Sequence, residues 1–236
     1  MSIAENVARI RAEMEAAAIA AGRDPKSVLL CAASKMNDAA AVREAIAAGV
    51  DCCGENKVQE LTAKLAENAY EGAPVHFIGH LQTNKVKQVV GKVDLIQSVD
   101  SERLLAAIDK EAKKQGIIQN ILLEINVGGE ESKSGFHPDD ILPLVDKLPE
   151  YPNIRVKGLM TIPPISQKNG DNIKFFQKMY NISVDIIAKK EDNDMAKYLS
   201  MGMSDDFADA IRSGSTMIRV GTAIFGARDY TKLHQT

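Results

Sequence analysis

Short apolar runs alternate along the chain with longer segments whose apolar residues recur every three or four positions. The short runs are typical of buried strands, and the longer segments are typical of helices that pack one face. The spacing of Ile3, Val7, Ile10 and Met14 predicts an N-terminal helix. The predicted strands that follow are 28–34, 50–54, 76–80, 95–99, 121–127, 154–161, 198–201 and 217–225.

Helical segments follow most of these strands. One is capped by Asn37 or Asp38 and ends at Gly49, and another is capped by Asp100 or Ser101 and ends at Gly116. Further helices are predicted at 57–67, 84–90, 138–147, 173–189 and 205–212. The apolar face of the helix 173–189 is predicted to consist of Phe176, Tyr180, Val184 and Ile187.

Regular alternation of strand and helix predicts an α/β fold with parallel strands, because parallel neighbours need a crossover connection. Eight such repeats in 236 residues match a (β/α)8 TIM-type barrel, here with an extra N-terminal helix. We expect residues 1–236 to form this single domain, and a doubly wound open sheet is the alternative. In both folds ligands bind at the carboxyl ends of the strands.

Composition and charge indicate which classes of partner and which compartment to expect. Hydrophobic residues make up 45% of the chain, charged residues 26%, and the net charge is −3. This is ordinary for a soluble globular protein and lacks the basic excess that nucleic acid binding needs. Without a membrane-length apolar run, a signal peptide or paired cysteines, we expect a cytoplasmic protein. Adjacent Cys52 and Cys53 are interpreted as small apolar fillers, and the histidines and cysteines show no metal-ligand spacing.

Lys35 directly follows the first predicted strand, 28–34. Desolvation at the end of an apolar strand can depress the pKa of a lysine and free its amine to attack a carbonyl. The hypothesis is therefore a Schiff-base lysine. The alternative is a lysine that extends its charged end into water.

Two glycine- and hydroxyl-rich segments, 200–205 and 219–226, are contributed by the last two predicted strands and the residues that follow them. Their backbone N–H groups could hold a phosphate, and barrels often bind phosphate after strands seven and eight. A reactive lysine opposite a phosphate cradle suits pyridoxal 5′-phosphate (PLP). Each feature also has a simpler interpretation: an ordinary turn, an ion pair of Arg219, or local hydrogen bonding of His80.

Seven segments together resemble the pyridoxal phosphate homeostasis protein family, which is itself similar to the N-terminal barrel of alanine racemase. The resemblance covers nearly the whole chain, and segments 76–85 and 200–206 are the most specific. The segments are LCAASK (30–35), GENKVQE (54–60), HFIGHLQTNK (76–85), KSG (133–135), GLMT (158–161), LSMGMSD (199–205) and RVGTAIFG (219–226).

The resemblance implies a role for each site residue. Lys35 would form the Schiff base with the PLP aldehyde, and Arg219 would face the pyridine nitrogen, to which a guanidinium can only donate a hydrogen bond. The phosphate would be held by Gly221 and Thr222, together with Ser200 or Ser204. The pocket would also be lined by Asn56, His80 and Met160. Lys133, in a glycine-flanked charged loop, either reaches the mouth of the barrel or is solvated.

The resemblance also implies a function. Alanine racemase carries a second, β-rich domain that supplies an opposing base, and no such domain is apparent in this sequence. We therefore expect a monomeric carrier that stores, buffers or delivers PLP, to apo-enzymes or amino acids, without robust turnover. The alternatives are a PLP-dependent amino-acid racemase of low activity and a cofactor-free class I aldolase that uses Lys35.

Overall fold

Eight parallel strands pair in chain order, and the last pairs with the first, so the sheet closes into a barrel. The computed structural model describes residues 1–130, 132–165, 168, 170–190 and 193–226. The predicted barrel is confirmed, and the open-sheet alternative is wrong. The strands are β1 (Leu29–Ala33), β2 (Cys52–Glu55), β3 (Val75–Phe77), β4 (Leu95–Val99), β5 (Gln119–Glu124), β6 (Ile154–Met160), β7 (Tyr198–Ser200) and β8 (Met217–Val220). The expected domain 1–236 runs on into 227–236, which lie outside the described residues.

Helices connect the strands around the outside of the barrel. Ser2 caps the first with a capping box, Asp38 caps the second, and Ser101 caps the fourth, which stops at the left-handed Gly116. The helices are α1 (Ile3–Ala20), α2 (Ala39–Ala47), α3 (Val58–Ala66), α4 (Glu102–Gln115), α5 (Ile141–Lys147), α6 (Ile173–Lys190), α7 (Phe207–Arg212) and α8 (Thr222–Phe225). In the part of the chain that the structure describes, none of them has both the length and the apolar character that a membrane crossing demands.

Two predicted elements differ in type from the structure, and the strands predicted at 76–80 and 121–127 each end three residues earlier, at Phe77 and Glu124. The last strand was predicted to run over 217–225, but it ends at Val220, and the apolar residues after Gly221 form the short helix α8 instead. The segment predicted as a helix at 84–90 is a 3₁₀ helix, Thr83–Gln88. An apolar run alone does not distinguish a buried strand from a buried helical turn.

The buried face of α6 also differs from the prediction. Tyr180 and Val184, which were expected to face the core, are 48% and 44% exposed. The buried residues of this helix are Phe176, Met179, Ser183 and Ile186. The buried face includes Ser183, and a prediction that follows only apolar residues does not select a serine.

The barrel has two separate apolar regions. A large core lies between the strands and the surrounding helices. A second, smaller cluster is formed by side chains that point into the barrel. Its buried members are Cys31, Cys52, Leu95, Leu122, Met160 and Met217. Because strand side chains alternate between the two faces, Cys52 belongs to the inner cluster and Cys53 to the outer core.

Candidate PLP site

A pocket of about 490 Å³ opens at the carboxyl ends of β1, β7 and β8. It contains the side chain of Lys35 and residues from the loops that follow the last two strands. Five of the residues predicted for the site therefore share one cavity. The lining consists of Ala33, Lys35, Met203, Ser204, Asp205, Arg219, Gly221, Thr222 and Ala223.

Buried hydrogen bonds fix the backbone on the N-terminal side of Lys35. The ammonium group of Lys64 donates a 2.7 Å hydrogen bond to the carbonyl oxygen of Ser34 and also contacts the Glu55 carboxylate. The hydroxyl of Ser34 donates to the same Glu55 oxygen at 2.5 Å. Ser34, Glu55 and Lys64 are all buried. A buried charge pair bonded to backbone in this way holds the end of β1 in one position.

The backbone on the other side of Lys35 is held by a second carboxylate. The N–H of Met36 donates a 2.6 Å hydrogen bond to Glu60 Oε2, and Lys64 Nζ lies 3.7 Å from the same oxygen. Met36 has a φ of 63°, in the left-handed region that a side chain with a β-carbon rarely adopts. Lys64 therefore connects the carboxylates that hold both neighbours of Lys35.

Arg219 crosses the interior of the barrel next to the pocket. Its Nη1 donates to Ser200 Oγ at 2.6 Å and its Nη2 donates to the carbonyl oxygen of Thr161 at 2.8 Å. Ser200 in turn donates to Gln97 Oε1 at 2.7 Å. Burial lowers the pKa of Arg219, and the charges of Cys31, Glu124 and Asp206 oppose this shift. The guanidinium remains a donor, and its orientation is set by neutral oxygens.

The two serines considered for the phosphate occupy different surroundings. Ser204 lines the pocket, and its Oγ accepts a 3.4 Å hydrogen bond from the N–H of Ala223. Ser200 is fully buried in the Arg219 hydrogen-bond chain and is absent from the pocket lining. Ser204 therefore shares the pocket with Lys35, whereas Ser200 lies outside the pocket and is hydrogen-bonded to Arg219.

Three other predicted residues lie apart from this pocket. Met160 ends β6 and is buried in the inner cluster. Asn56 follows β2, and its Oδ1 is buried without a hydrogen-bond partner among the described residues. Its backbone touches the turn after β3, where a β-carbon on Gly79 would come within 2.2 Å of the Asn56 carbonyl oxygen. His80 follows the same turn, and its Nδ1 lies 3.1 Å from Asp100.

Glu124 is a candidate site residue that the sequence analysis did not identify. It ends β5 and is 8% exposed. Burial raises its pKa to about 7, the nearby Asp100 adds to this, and Arg219 and His80 oppose it. A carboxyl group that titrates near neutral pH beside Arg219 can hold or release a proton. Its position at a strand end is the one signal that could have indicated it.

The side chain of Lys133 contacts residues of its own loop and of the loop after β6. Its Nζ donates a 3.1 Å hydrogen bond to the carbonyl oxygen of Pro163 and lies 3.2 Å from Glu130 Oε2. The next residue, Ser134, places its Oγ 3.5 Å from His80 Nδ1. The loop therefore lies next to the end of β3, with the ammonium of Lys133 paired locally.

Cys31 lies between Arg219 and Cys52 in the wall of the barrel, as the register partner of both. A hydrogen bond with the Cys52 thiol lowers the pKa of Cys31 to about 6, helped by His76 and Arg219 and opposed by burial. The same hydrogen bond, together with burial, raises the pKa of Cys52. The charge of Arg219 therefore acts on the Cys31 thiol, and Cys52, which the sequence suggested was only an apolar filler, is its hydrogen-bond partner.

Fold and site together define a barrel of the alanine racemase type. The family model described as "Alanine racemase, N-terminal domain" matches residues 2–229. An alanine racemase from Streptomyces lavendulae has the same fold, with a TM-score of 0.71 and 17% identity, covering 98% of this chain and 58% of that one.

Closer relatives identify the family within that class. A pyridoxal phosphate homeostasis protein from Aquifex aeolicus is 40% identical over 230 residues, which cover 98% of this chain and all of the relative. The structure of PipY from Synechococcus elongatus with PLP bound is similar with a TM-score of 0.81 and 33% identity, covering 95% of this chain and 100% of that one. The chain belongs to the pyridoxal phosphate homeostasis protein family.

Proposed function

We propose that this protein binds PLP through Lys35 and acts in PLP homeostasis, storing, buffering or delivering the cofactor. The observation that carries the proposal is the presence of Lys35 in the same pocket as Ser204, Gly221 and Thr222. Membership in the family and the bound PLP of PipY support it. An amine and a set of phosphate-binding groups in one cavity match the two ends of this cofactor.

The residues of the pocket fit the parts of PLP. When bound, the cofactor supplies an aldehyde that a lysine amine can attack. Gly221 has no side chain to cover its backbone, so a phosphate could come close to it, and a β-carbon at this position would lie only 3.2 Å from the Ala33 carbonyl oxygen. Thr222 and Ser204 add hydroxyls. Asn56 lies outside this lining, at the end of the neighbouring strand, and its Oδ1, which has no hydrogen-bond partner among the described residues, would be available to accept one from a ligand.

Arg219 would limit how strongly a bound PLP ring withdraws electrons. A guanidinium stays protonated and would donate a hydrogen bond to the pyridine nitrogen, which leaves the ring a weaker electron sink than one paired with a carboxylate. Racemisation also needs a base on each face of the substrate, and Lys35 supplies one. We propose that turnover is weak or absent, that PLP passes to amino acids or apo-enzymes, and that the protein is a monomer.

The test is the absorption spectrum of the purified protein with added PLP, before and after borohydride. We expect a visible band that borohydride removes and a pyridoxyl group whose mass maps to Lys35. Lys35→Ala should abolish the labelling, whereas Lys133→Ala, which removes a different lysine of the mouth, should retain it. A protein that stays colourless and unlabelled would refute the proposal and favour the aldolase.

Exchange of the α-proton separates the carrier from the low-activity racemase. The PLP-loaded protein is incubated with L- or D-alanine in deuterated water. A carrier leaves the α-proton of alanine in place, whereas a racemase exchanges it and produces the other enantiomer. Exchange that disappears in Lys35→Ala would establish the enzyme. The molar mass from light scattering during gel filtration tests whether the protein is a monomer.

A further inference from the structure

Two thiols and an imidazole meet inside the barrel, outside the pocket of Lys35. Cys31 of β1 and Cys52 of β2 are register partners, and His76 comes from β3, the next strand. One potential ligand atom from each residue lies within 4.8 Å of those of the other two. All three residues are buried. The expectation of no metal site rested on spacing along the chain, which does not reveal a cluster assembled from three parallel strands.

Neighbouring groups orient the imidazole and keep the cluster dry. Gln97 Nε2 lies 2.9 Å from His76 Nδ1 and donates to Met217 Sδ at 3.1 Å. The Gln97 amide fixes the ring, and because a metal-bound histidine donates from its other ring nitrogen, copper binding would require this amide to turn its oxygen toward the imidazole N–H. Met217 also packs in the same inner apolar cluster as both cysteines. The surroundings are rich in sulfur and exclude water.

We propose that Cys31, Cys52 and His76 form a binding site for one copper(I) ion. Thiolates, with a thioether close by, select copper(I), and imidazole also suits copper. Zinc in structural sites takes four ligands. Among the described residues, the cluster contains three cysteine, histidine or acidic side chains and no fourth.

Charge favours a monovalent ion. Two thiolates and copper(I) carry a net charge of one negative, which balances the positive charge of Arg219, the register partner of Cys31. A divalent ion would make the cluster neutral and leave the buried guanidinium without that compensation. Loading forms two copper–sulfur bonds and one copper–nitrogen bond, while copper leaves the chelator that delivers it, the two thiols release their protons, and the neutral imidazole keeps its single proton on the ring nitrogen that does not bind copper. No atom changes oxidation state.

The first experiment is a competition for copper(I) under anaerobic, reducing conditions. The full chain is titrated against the coloured copper(I)–bicinchoninate complex until the absorbance is constant. We expect the protein to remove one equivalent per chain. Cys31→Ser and Cys52→Ser should weaken binding at least tenfold, since loss of an outer partner alone costs about 10–100-fold. Cys53→Ser is the matched control, because this thiol is also buried but lies in the outer core.

X-ray absorption of the copper-loaded native protein tests the ligands without any substitution that could disturb folding. We expect two sulfur scatterers and one nitrogen around each copper. The proposal is overturned if the chelator keeps its copper or if only nitrogen and oxygen surround the ion. It is equally overturned if Cys53→Ser loses copper as the other variants do, or if zinc(II) displaces copper(I).

Discussion

The ammonium group of Lys64 donates a 2.7 Å hydrogen bond to the carbonyl oxygen of Ser34, the residue before Lys35. The same ammonium contacts the fully buried carboxylate of Glu55. The lysine proposed to bind the cofactor is thus positioned by a second lysine, which is buried in α3. The proposed role of Lys35 needs a reactive amine, whereas Lys64 serves as the ion partner of a buried carboxylate.

Loss of the Lys64 charge should destabilise the protein strongly. Lys64→Met leaves the Glu55 carboxylate buried without its ion partner, which costs about 3–5 kcal/mol. Urea denaturation of the cofactor-free protein measures the change in the free energy of unfolding. Lys57→Met is the control, because Lys57 is 60% exposed and 3.8 Å from Glu60, and its loss should cost less than about 1 kcal/mol.

The double variant Glu55→Gln, Lys64→Met removes both charges and should recover much of the lost stability. Recovery is expected because the main penalty in the single variant is an uncompensated charge rather than a missing contact. If the single and double variants were equally unstable, the ion pair would not be the source of the effect.

Ser200 should act on the cofactor through Arg219. Ser200→Ala removes an acceptor of the buried guanidinium, and we expect a loss of about 1–3 kcal/mol in unfolding free energy. Because Arg219 would lose its fixed orientation, the absorption maximum of bound PLP should also shift. The spectrum and the denaturation curve of the same variant measure the two effects separately.

Ser215→Ala is the matched control for this substitution. Ser215 is another fully buried serine, and among the described residues its hydroxyl lies within hydrogen-bond distance of backbone carbonyls alone, those of Leu199, Met201 and Met217. Its loss should lower stability by a similar amount and leave the spectrum of bound PLP unchanged. Equal spectral shifts in both variants would contradict a positioning role for Ser200.

Glu124 should make stability depend on pH between about 5 and 7. Its pKa is raised from 4.5 to about 7 in the folded state. The folded protein therefore binds more protons than the unfolded chain in this window, and stability falls as the pH rises through it. The loss reaches about 3 kcal/mol above pH 7, from about 1.4 kcal/mol for each pH unit.

Glu124→Gln should remove this dependence, because glutamine does not titrate. Unfolding free energies of the native protein and the variant are measured at pH 5 and pH 8, so that all other titrating groups cancel in the difference. Glu44→Gln, at an exposed position of α2, should retain the pH dependence of the native protein. A native protein whose stability changes in parallel with Glu124→Gln would refute the raised pKa.

The barrel could be predicted from the sequence because each element carries its own local signal. Val28 to Ser34 is a short apolar run and Ala39 to Ala47 follows a capping aspartate, so both types of element are visible without tertiary information. Lys35 was selected as a candidate in the same way, as a charged residue at the end of such a run. Closure of β8 onto β1 then follows from having eight repeats.

The side-chain contacts of the site residues could not be predicted from the sequence. They depend on which side chains point into the barrel and on how neighbouring strands are aligned. Nothing in the spacing of Glu55 and Lys64 distinguishes a buried ion pair from two solvated charges. Cys31 and Cys52 meet because they are register partners of β1 and β2, and His76 joins them from β3, where its own register partner is Gly54, two residues beyond Cys52. A change of register by one residue would turn each of them to the other face.

Ser204, rather than Ser200, should recognise the phosphate of the cofactor. Ser204 lines the pocket with Gly221 and Thr222, whereas Ser200 is committed to Arg219. Ser204→Ala should therefore weaken PLP about tenfold, the value of one hydrogen bond to a charged group. Binding of pyridoxal, which lacks the phosphate, should hardly change in this variant.

Comparing PLP and pyridoxal in two variants tests the assignment of Ser204 to the phosphate, even if a variant is less stable than the native protein. Affinities for PLP and pyridoxal are measured by fluorescence or absorbance titration for the native protein, Ser204→Ala and Ser200→Ala. Ser204→Ala should reduce the preference for PLP over pyridoxal, because only PLP has the group that this hydroxyl would bind. Ser200→Ala should weaken both ligands alike, because Arg219 is expected to face the ring that they share. If Ser200→Ala reduced the preference and Ser204→Ala did not, the phosphate would have to lie deeper in the barrel, against Ser200.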